Sequence, residues 1–465
     1  MLGFLMERRE FLRTIAAVGA SSASFKAWCA GHGADFDFAS AAAECGWDPA
    51  AKDAFYILHA SDLHMTENPD WDHGALEMKD KFMGRCFIDD MNAMNALPQK
   101  PSALFLTGDL MSFVTMNPDC WARAERKWRH YRKYVADRLA VPWHQIIGNN
   151  DCAGVPYRKV FYDRPLYWTI ERGGVCFAGL HGYDMWKPEN TNHAGILYGE
   201  EQLAWLRGVV EKTTARTLVV MTHEPLKDDD SHCARAQLAP ILDRFRGEEI
   251  WNLCGHNHVN MARRIRIGRH DVRSLEVMTP VGCGFTVGDG GFRVVFCREG
   301  RICGSALRWL TPNGEPIGYA PDRETTSPRR FALLEELIPS DSLASALVGR
   351  DKFDIAGSEQ IEDRISDYYI CRPGKSGKPG RLVWTVPLSV AGRRVSSVRV
   401  FCGNIAGHVG YSPDGSTWRE SAVDWSRPDI PRVFGIPKDL SGETVRLSLA
   451  NESRHECKFF GYALM

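Results

Sequence analysis

The chain has 465 residues, of which 44% are hydrophobic and 25% charged, and its formal net charge at pH 7 is -1. Such a length and balance belong to a folded protein of more than one domain. They give no electrostatic case for binding nucleic acid or an anionic membrane.

Near its start the sequence carries Glu7-Arg8-Arg9-Glu10-Phe11-Leu12-Arg13, close to the twin-arginine export pattern. A moderately apolar stretch, Thr14 to Phe25, follows, and small residues continue through Cys29-Ala30-Gly31 to Ala34. This stretch is short of the ~20 apolar residues that a membrane span requires, and no later segment reads as transmembrane. Residues 1–34 therefore read as an export signal, which places the mature protein in the periplasm or outside the cell. The competing reading is an amphipathic helix that stays in place. Lys26-Ala27-Trp28 before Cys29 lacks a lipoprotein box, so no lipid anchor is expected. The 14 cysteines are scattered without paired or zinc-ribbon spacing, and free, mostly buried thiols are expected.

Residues 35–52 form a lead-in with no assigned structure. A strand-like run, Phe55–Ala60, then leads into Asp62-Leu63-His64. Asp80–Ala96 reads as a helix. Ala103–Thr107 is a second strand, ending at Gly108-Asp109. Pro118–Leu139 is a helix rich in Arg, Lys and Trp, whose charges read as a solvated face. Trp143–Ile147 leads into Gly148-Asn149-Asn150-Asp151. Two apolar runs around Gly173-Gly174, Leu166–Ile170 and Val175–Leu180, make a hairpin signal. The loop from His181 to Lys187 carries Tyr183, Trp186 and Lys187. Helices are expected over Gly199–Glu211 and Cys233–Arg246. Between and after them lie Leu218–Met221 with Thr222-His223-Glu224, and Ile250–Leu253 with Gly255-His256-Asn257-His258. Ser274–Thr279, Phe292–Cys297 and Cys303–Trp309 would be closing strands.

Five metal-type clusters thus sit at five strand ends. In open α/β sheets ligands bind just past the carboxyl ends of the strands, so the clusters should converge. In that order they resemble the calcineurin-like metallophosphoesterase family, with its D-x-H, G-D, G-N-H-D/E, lone His and G-H-x-H. Four blocks match in full; in the third, Asn150 stands where the family has His. The resemblance implies an α/β fold of two packed sheets with outer helices. It also implies two divalent metals, Mn, Fe or Zn, since the donors are imidazole and carboxylate. Asp109 would bridge them. Asp62, His64 and His258 would complete one site, and Asn149, His223 and His256 the other. Two cations about 3.5–4 Å apart clamp a phosphoryl group and turn water into hydroxide near neutral pH. The family's His helps protonate the leaving oxygen, which Asn150 cannot do. His193 and His181, in the variable loop region, are the candidate substitutes.

The catalytic region is read as residues 53–311 and a Pro/Gly-rich linker as 312–330. A smaller β-sandwich is read over 331–465, with strands at Arg381–Leu388, Val395–Phe401, Val445–Leu449 and Lys458–Ala463. Gly410-Tyr411-Ser412-Pro413-Asp414-Gly415-Ser416-Thr417-Trp418 resembles the hairpin of discoidin-like, galactose-binding jelly rolls. Trp384, Trp418 and Trp425 serve either a glycan face or the core. The expected function is an exported two-metal phosphoesterase acting on a phosphate mono- or diester. The substrate class is a phosphorylated small molecule, lipid or glycan. Two alternatives stand: a metal-containing binder or impaired enzyme, which Asn150 keeps open, and a nucleotidase, for which the C-terminal region looks too small and too β-rich.

Overall fold

In the computed structural model, the described residues are 37–65, 87–97, 99–111, 120–151, 154–182, 198–226, 234–258, 260–280, 291–309, 331–333, 344–347, 353–356, 361–363, 369–371, 380–390, 392–402, 405–425, 432–452 and 457–464. They fall into two compact units, the first holding the described residues through 333 and the second those from 344 onward. The export signal, residues 66–86, His193 and the 312–330 linker lie outside the described residues, as does Tyr183–Lys187. Among the described residues no helix is long and apolar enough to cross a membrane.

The strands of the first unit are β1 (Phe55–Ala60), β2 (Leu104–Thr107), β3 (Trp143–Ile146), β4 (Trp168–Arg172), β5 (Val175–Gly179), β6 (Thr217–Met221), β7 (Glu249–Cys254), β8 (Met261–Ile267), β9 (His270–Glu276), β10 (Gly291–Arg298), β11 (Arg301–Trp309) and β12 (Phe331–Leu333). They form two sheets, ordered β12-β11-β10-β1-β2-β3 and β4-β5-β6-β7-β9-β8. β1, β2 and β3 run parallel, as do β5, β6, β7 and β9. β1, β2, β5 and β6 are buried along their whole length. That is why they read as continuous apolar runs rather than as alternation. The sheets pack face to face: Phe105 on β2 lies 5.2 Å from the Trp168 ring and 5.0 Å from Phe177. Trp168 Nε1–H donates across to the Gln145 carbonyl at 2.9 Å. The α/β metallophosphoesterase fold is therefore present. The Gly173-Gly174 hairpin joins β4 and β5 with both glycines at positive φ, as a two-residue type I′ turn demands.

The lead-in is part of this unit. Helix α1 (Asp37–Glu44) and the turn after it lay Phe38 and Trp47 on the first sheet. Phe38 stands 5.1 Å from Tyr56, Trp47 stands 5.4 Å from Phe296, and Trp47 Nε1–H donates to the Cys297 carbonyl at 3.2 Å. Of the helix expected over Asp80–Ala96, residues 80–86 lie outside the described residues; α2 covers Asp89–Ala93, followed by a 3-10 turn at Met94–Ala96. α3 (Trp121–Tyr134) buries Ala124, Lys127, Trp128 and Tyr131 at helical spacing and exposes Arg123, Arg126, Arg129 and Lys133. Trp128 meets Tyr157 on α4 (Val155–Val160) at 5.0 Å. α5 (Glu200–Lys212) follows Gly199 as expected. The helix expected over Cys233–Arg246 is shorter: a π turn over Ala234–Leu238 and then α6 (Ala239–Leu242), where Pro240 lacks the N–H that would extend the ladder backward. β8 was not expected. Its run of Arg263, Arg264 and Arg266 masks Ile265 and Ile267, and such charges are how an edge strand resists further pairing. β12 pairs with β11, so Phe331–Leu333 belongs to the first unit and not to the sandwich in which composition placed it.

The second unit is all β. Its strands are β13 (Ala344–Leu347), β14 (Phe353–Ala356), β15 (Ile361–Asp363), β16 (Tyr369–Cys371), β17 (Gly380–Pro387), β18 (Ser389–Val390), β19 (Arg393–Arg394), β20 (Ser397–Cys402), β21 (Ile405–Ser412), β22 (Arg419–Trp425), β23 (Val433–Gly435), β24 (Thr444–Asn451) and β25 (Cys457–Leu464). They form antiparallel sheets β15-β16-β25-β20-β23, with β13 also on β25, and β14-β17-β24-β21-β22, plus the pair β18-β19. Trp384 and Trp425 are core; Trp418 is partly exposed, with the Arg381 guanidinium 5.9 Å from its ring. In the β21–β22 turn, Asp414 accepts from the Thr417 and Ser416 N–H groups, both at 2.8 Å, and from the Ser412 hydroxyl at 3.0 Å. Those bonds hold its carboxyl well below the usual range. They are the local reason for the Ser-Pro-Asp-Gly-Ser-Thr sequence. Cys45, Cys120, Cys176, Cys254, Cys297, Cys303 and Cys402 form no disulfide.

Candidate metal centre

All five sequence blocks reach one place in the first unit. The turns after β1 and β2 are zipped together by main-chain bonds: Asp62 N–H to the Gly108 carbonyl and His64 N–H to that of Asp109, both 2.9 Å. Those after β6 and β7 join through Gly255 N–H to the His223 carbonyl at 2.9 Å. The fit leaves no room for side chains at the motif glycines. A Cβ on Gly108, which has φ +95°, would stand 2.7 Å from His223 Nδ1, and one on Gly255 would collide with Ser61 and Asp62.

Two donor groups result, and Asp109 is in both. One is Asp62, His64, Asp109 and His258; the other is Asp109, His223 and His256. In the first, Asp62 Oδ1 faces His258 Nε2 at 3.1 Å and His64 Nε2 at 3.7 Å, and the two imidazole Nε2 atoms are 3.0 Å apart. Asp62 Oδ2 is taken by the His256 N–H at 2.9 Å. In the second, Asn149 Oδ1 lies 3.0 Å from His223 Nε2 and 2.9 Å from His256 Nδ1, and His223 Nε2 lies 3.3 Å from Asp109 Oδ2. Asn149 thus joins the residues expected beside it.

The residues fit divalent cations on three counts. Asp62 is wholly buried, yet its Oδ1 accepts no hydrogen bond. A buried carboxylate oxygen without a donor is costly, and a cation would satisfy it. Lone pairs of imidazole, carboxylate and carboxamide converge where neutral partners would repel. And of seven non-glycine residues with positive φ among the described residues, five are Asp62, His64, Asp109, His256 and His258. Left-handed backbone at non-glycine residues is strained and gathers at functional sites.

The electrostatics show how strongly these groups interact. Burial acts against charge on His223, but the Asp109 carboxylate beside it outweighs this and lifts the imidazole to about 10. Burial also opposes the ionised form of Asp109, yet His223 and His64 bring it down to about 2. Burial takes His256 down to about 4, which favours the neutral ring that binds metal.

Some contributors carried no signal of their own in the sequence. The Thr107 carbonyl accepts from His223 Nδ1–H at 2.7 Å, which fixes the tautomer and turns Nε2 to the cluster. Asp151, quoted in the third block without a role, accepts from Met111 N–H and Gly148 N–H at 2.9 Å and Leu110 N–H at 3.2 Å, tying the second block's turn to the third. Burial and then Asp109 push its carboxyl up to about 7. Asn150 does not stand clear of the cluster: its Nδ2–H donates to Asp109 Oδ2 at 2.5 Å and its N–H to Oδ1 at 2.8 Å. His181, two residues past the end of β5, is buried, with its N–H donating to Gln202 Oε1 at 2.7 Å and its carbonyl accepting from Gln202 Nε2 at 2.8 Å. His193 lies outside the described residues.

Solved structures resemble parts of the chain. A dimetal phosphatase from Danio rerio shares 11% identity at a TM-score of 0.39, covering 55% of this chain and 95% of that one. PhoD shares 12% at 0.40, covering 62% and 70%. A 5'-nucleotidase from Candida albicans shares 16% at 0.29, covering 52% and 47%. Likenesses this partial carry no argument about substrate. No curated protein matches the chain significantly. The family model described as calcineurin-like phosphoesterase matches residues 55–260, the stretch that runs from β1 through the last of the five blocks. The matched stretch is under half of the chain, and it contains both donor groups that share Asp109.

Proposed function

We propose that the protein is an exported phosphoesterase that hydrolyses a phosphate mono- or diester at two divalent cations. The observation that carries the reading is the pair of donor groups sharing Asp109 inside the family-matched region. When bound, such cations supply Lewis acidity, lowering the pKa of water and neutralising phosphoryl charge. The chain's part is to hold that chemistry in place. His64, His258 and Asp62 would bind one cation; His223, His256 and Asn149 the other. Asn150 orients Asp109 through two hydrogen bonds, and the Thr107 carbonyl orients His223. The test is a screen of metal-reconstituted protein against phosphomonoesters, phosphodiesters and phospholipids. No turnover of any class would favour the binder or impaired-enzyme reading.

That second reading has its own observation, since Asn150 occupies the family's acid position and is committed to Asp109. An acid lost from such a site typically costs about 10²–10⁴ in rate. We infer that a histidine, His193 or His181, replaces it. His193→Ala or His181→Ala should then slow an alkyl phosphate far more than an activated aryl phosphate, because only the alkoxide needs the proton. If neither does, while Asn150→His speeds the alkyl ester, the site has no acid.

Export rests on the Arg8-Arg9 pair and the stretch behind it. Replacing both arginines with lysine should retain full-length protein in the cell. The mature N-terminus, read by mass spectrometry, should fall before Asp37, since cleavage beyond it would remove Phe38 from the core. A glycan-binding role for the second unit would use Trp418 and Arg381, because Trp384 and Trp425 are buried.

A further inference from the structure

One turn, Gly255–His258, supplies a donor to each group, His256 to one and His258 to the other. It leaves β7 at Cys254 and the chain re-enters the sheet at Met261 on β8. Glu276, the last residue of β9, pairs with both, so it lies directly between the two ends of the connection. Just past it, the Val277 N–H donates to the Cys254 carbonyl at 3.0 Å and the Met278 N–H to Asn260 Oδ1 at 3.1 Å, pinning each end. The middle is held by Glu276 itself: its Oε1 accepts the Asn257 N–H at 3.2 Å, a donor it shares with the Gly255 carbonyl at 3.0 Å. Glu276 and Asn257 are both at least 97% buried.

Glu276 is held in turn. Arg293 on β10 of the facing sheet is wholly buried and donates through Nη2–H to the Glu276 carbonyl, while Nη1–H reaches Ser305 Oγ at 3.4 Å. Burial takes the Arg293 guanidinium down to about 9, and the Glu276 charge acts against that. The sheets are thus bonded to each other at the residue that carries the turn.

We infer that Glu276 is a positioning residue for both metal sites, its carboxylate holding the His256–His258 turn through the Asn257 amide and Arg293 anchoring it to the opposite sheet. The inference rests on the metal reading above. Positioning partners of this kind are worth about 10–100-fold in metal affinity.

Two substitutions separate positioning from mere core pairing. Glu276→Asp keeps the charge for Arg293 but withdraws the carboxylate from Asn257. Glu276→Gln removes the charge but keeps an oxygen that can accept. Mn2+ titration of the metal-stripped proteins, with thermal midpoints alongside, should show Glu276→Asp losing about 10–100-fold in affinity with a modest change in midpoint. Glu276→Gln should keep its affinity and lose midpoint instead. The reverse pattern would make Glu276 an ion-pair partner only. Should either variant fail to fold, amide exchange of the wild type decides. The peptide covering Gly255–His258 should be protected in the metal-stripped protein, and free exchange there would overturn the inference. If wild type itself binds no Mn2+, the metal reading has failed rather than this one.

Discussion

Asp109→Asn should purify with one metal equivalent or none, and its activity should fall by at least 10²–10³-fold, on the order of the loss when a site forfeits one electrostatic contact to the reacting group. Asp109 is the residue common to both donor groups, and its Oδ2 lies 3.7 Å from His64 Nε2 and 3.3 Å from His223 Nε2. A carboxylate between two cations offsets their repulsion, which a neutral carboxamide does not. The substitution preserves shape, so the Asn150 N–H still finds an acceptor and the fold should hold. Elemental analysis beside a circular dichroism melt checks both halves. A wild-type protein that arrives metal-free and takes up neither Mn nor Zn would end the two-metal reading. A variant that keeps two tightly bound ions would remove Asp109 from the bridge.

Trp47→Ala should destabilise the first unit by about 3–5 kcal/mol, the usual range for emptying a buried aromatic site. Its ring packs on Phe38, Tyr56 and Phe296, and its indole N–H is satisfied by the Cys297 carbonyl, which the variant leaves without that donor. The melting temperature should fall by on the order of 10 °C. Metal affinity of the folded variant should stay unchanged, because this cluster lies toward the start of β1 and the end of β10, away from the strand ends that carry the donors. An unchanged melt would mean that α1 and its turn are dispensable.

The sequence by itself determined the order of the site. Asp62, His64, Asp109 and His223 were legible because each follows a run of apolar residues that only a strand buried on both faces tolerates, while Asn149, His256 and His258 follow the less regular β3 and β7 and were legible from their place in the motif order. In a parallel sheet, carboxyl ends share an edge, so order along the chain became convergence in space without knowledge of any contact. Strands hidden by charge were not legible. β8 carries three arginines in seven residues, and its edge position, which makes such charges useful, is a property of the sheet. α1 was unassigned because Phe38 and Trp47 gain their meaning from Tyr56 and Phe296, and Phe296 is some 250 residues further along the chain.

Roles that depend on aim were decided by tertiary structure alone. Asn150 read as a missing acid, and the fold shows what its carboxamide does instead, which is to grip Asp109. Asp151 bonds three amides from two turns, and Glu276 reaches an amide on a neighbouring strand's turn through a bond whose donor is main chain. Every residue has such an N–H except proline, so a side chain that serves the backbone leaves no pattern of residue types to read. Ligand identity is written in side chains, but the placement of those side chains is written largely in main-chain bonds, and only the folded chain brings the partners together.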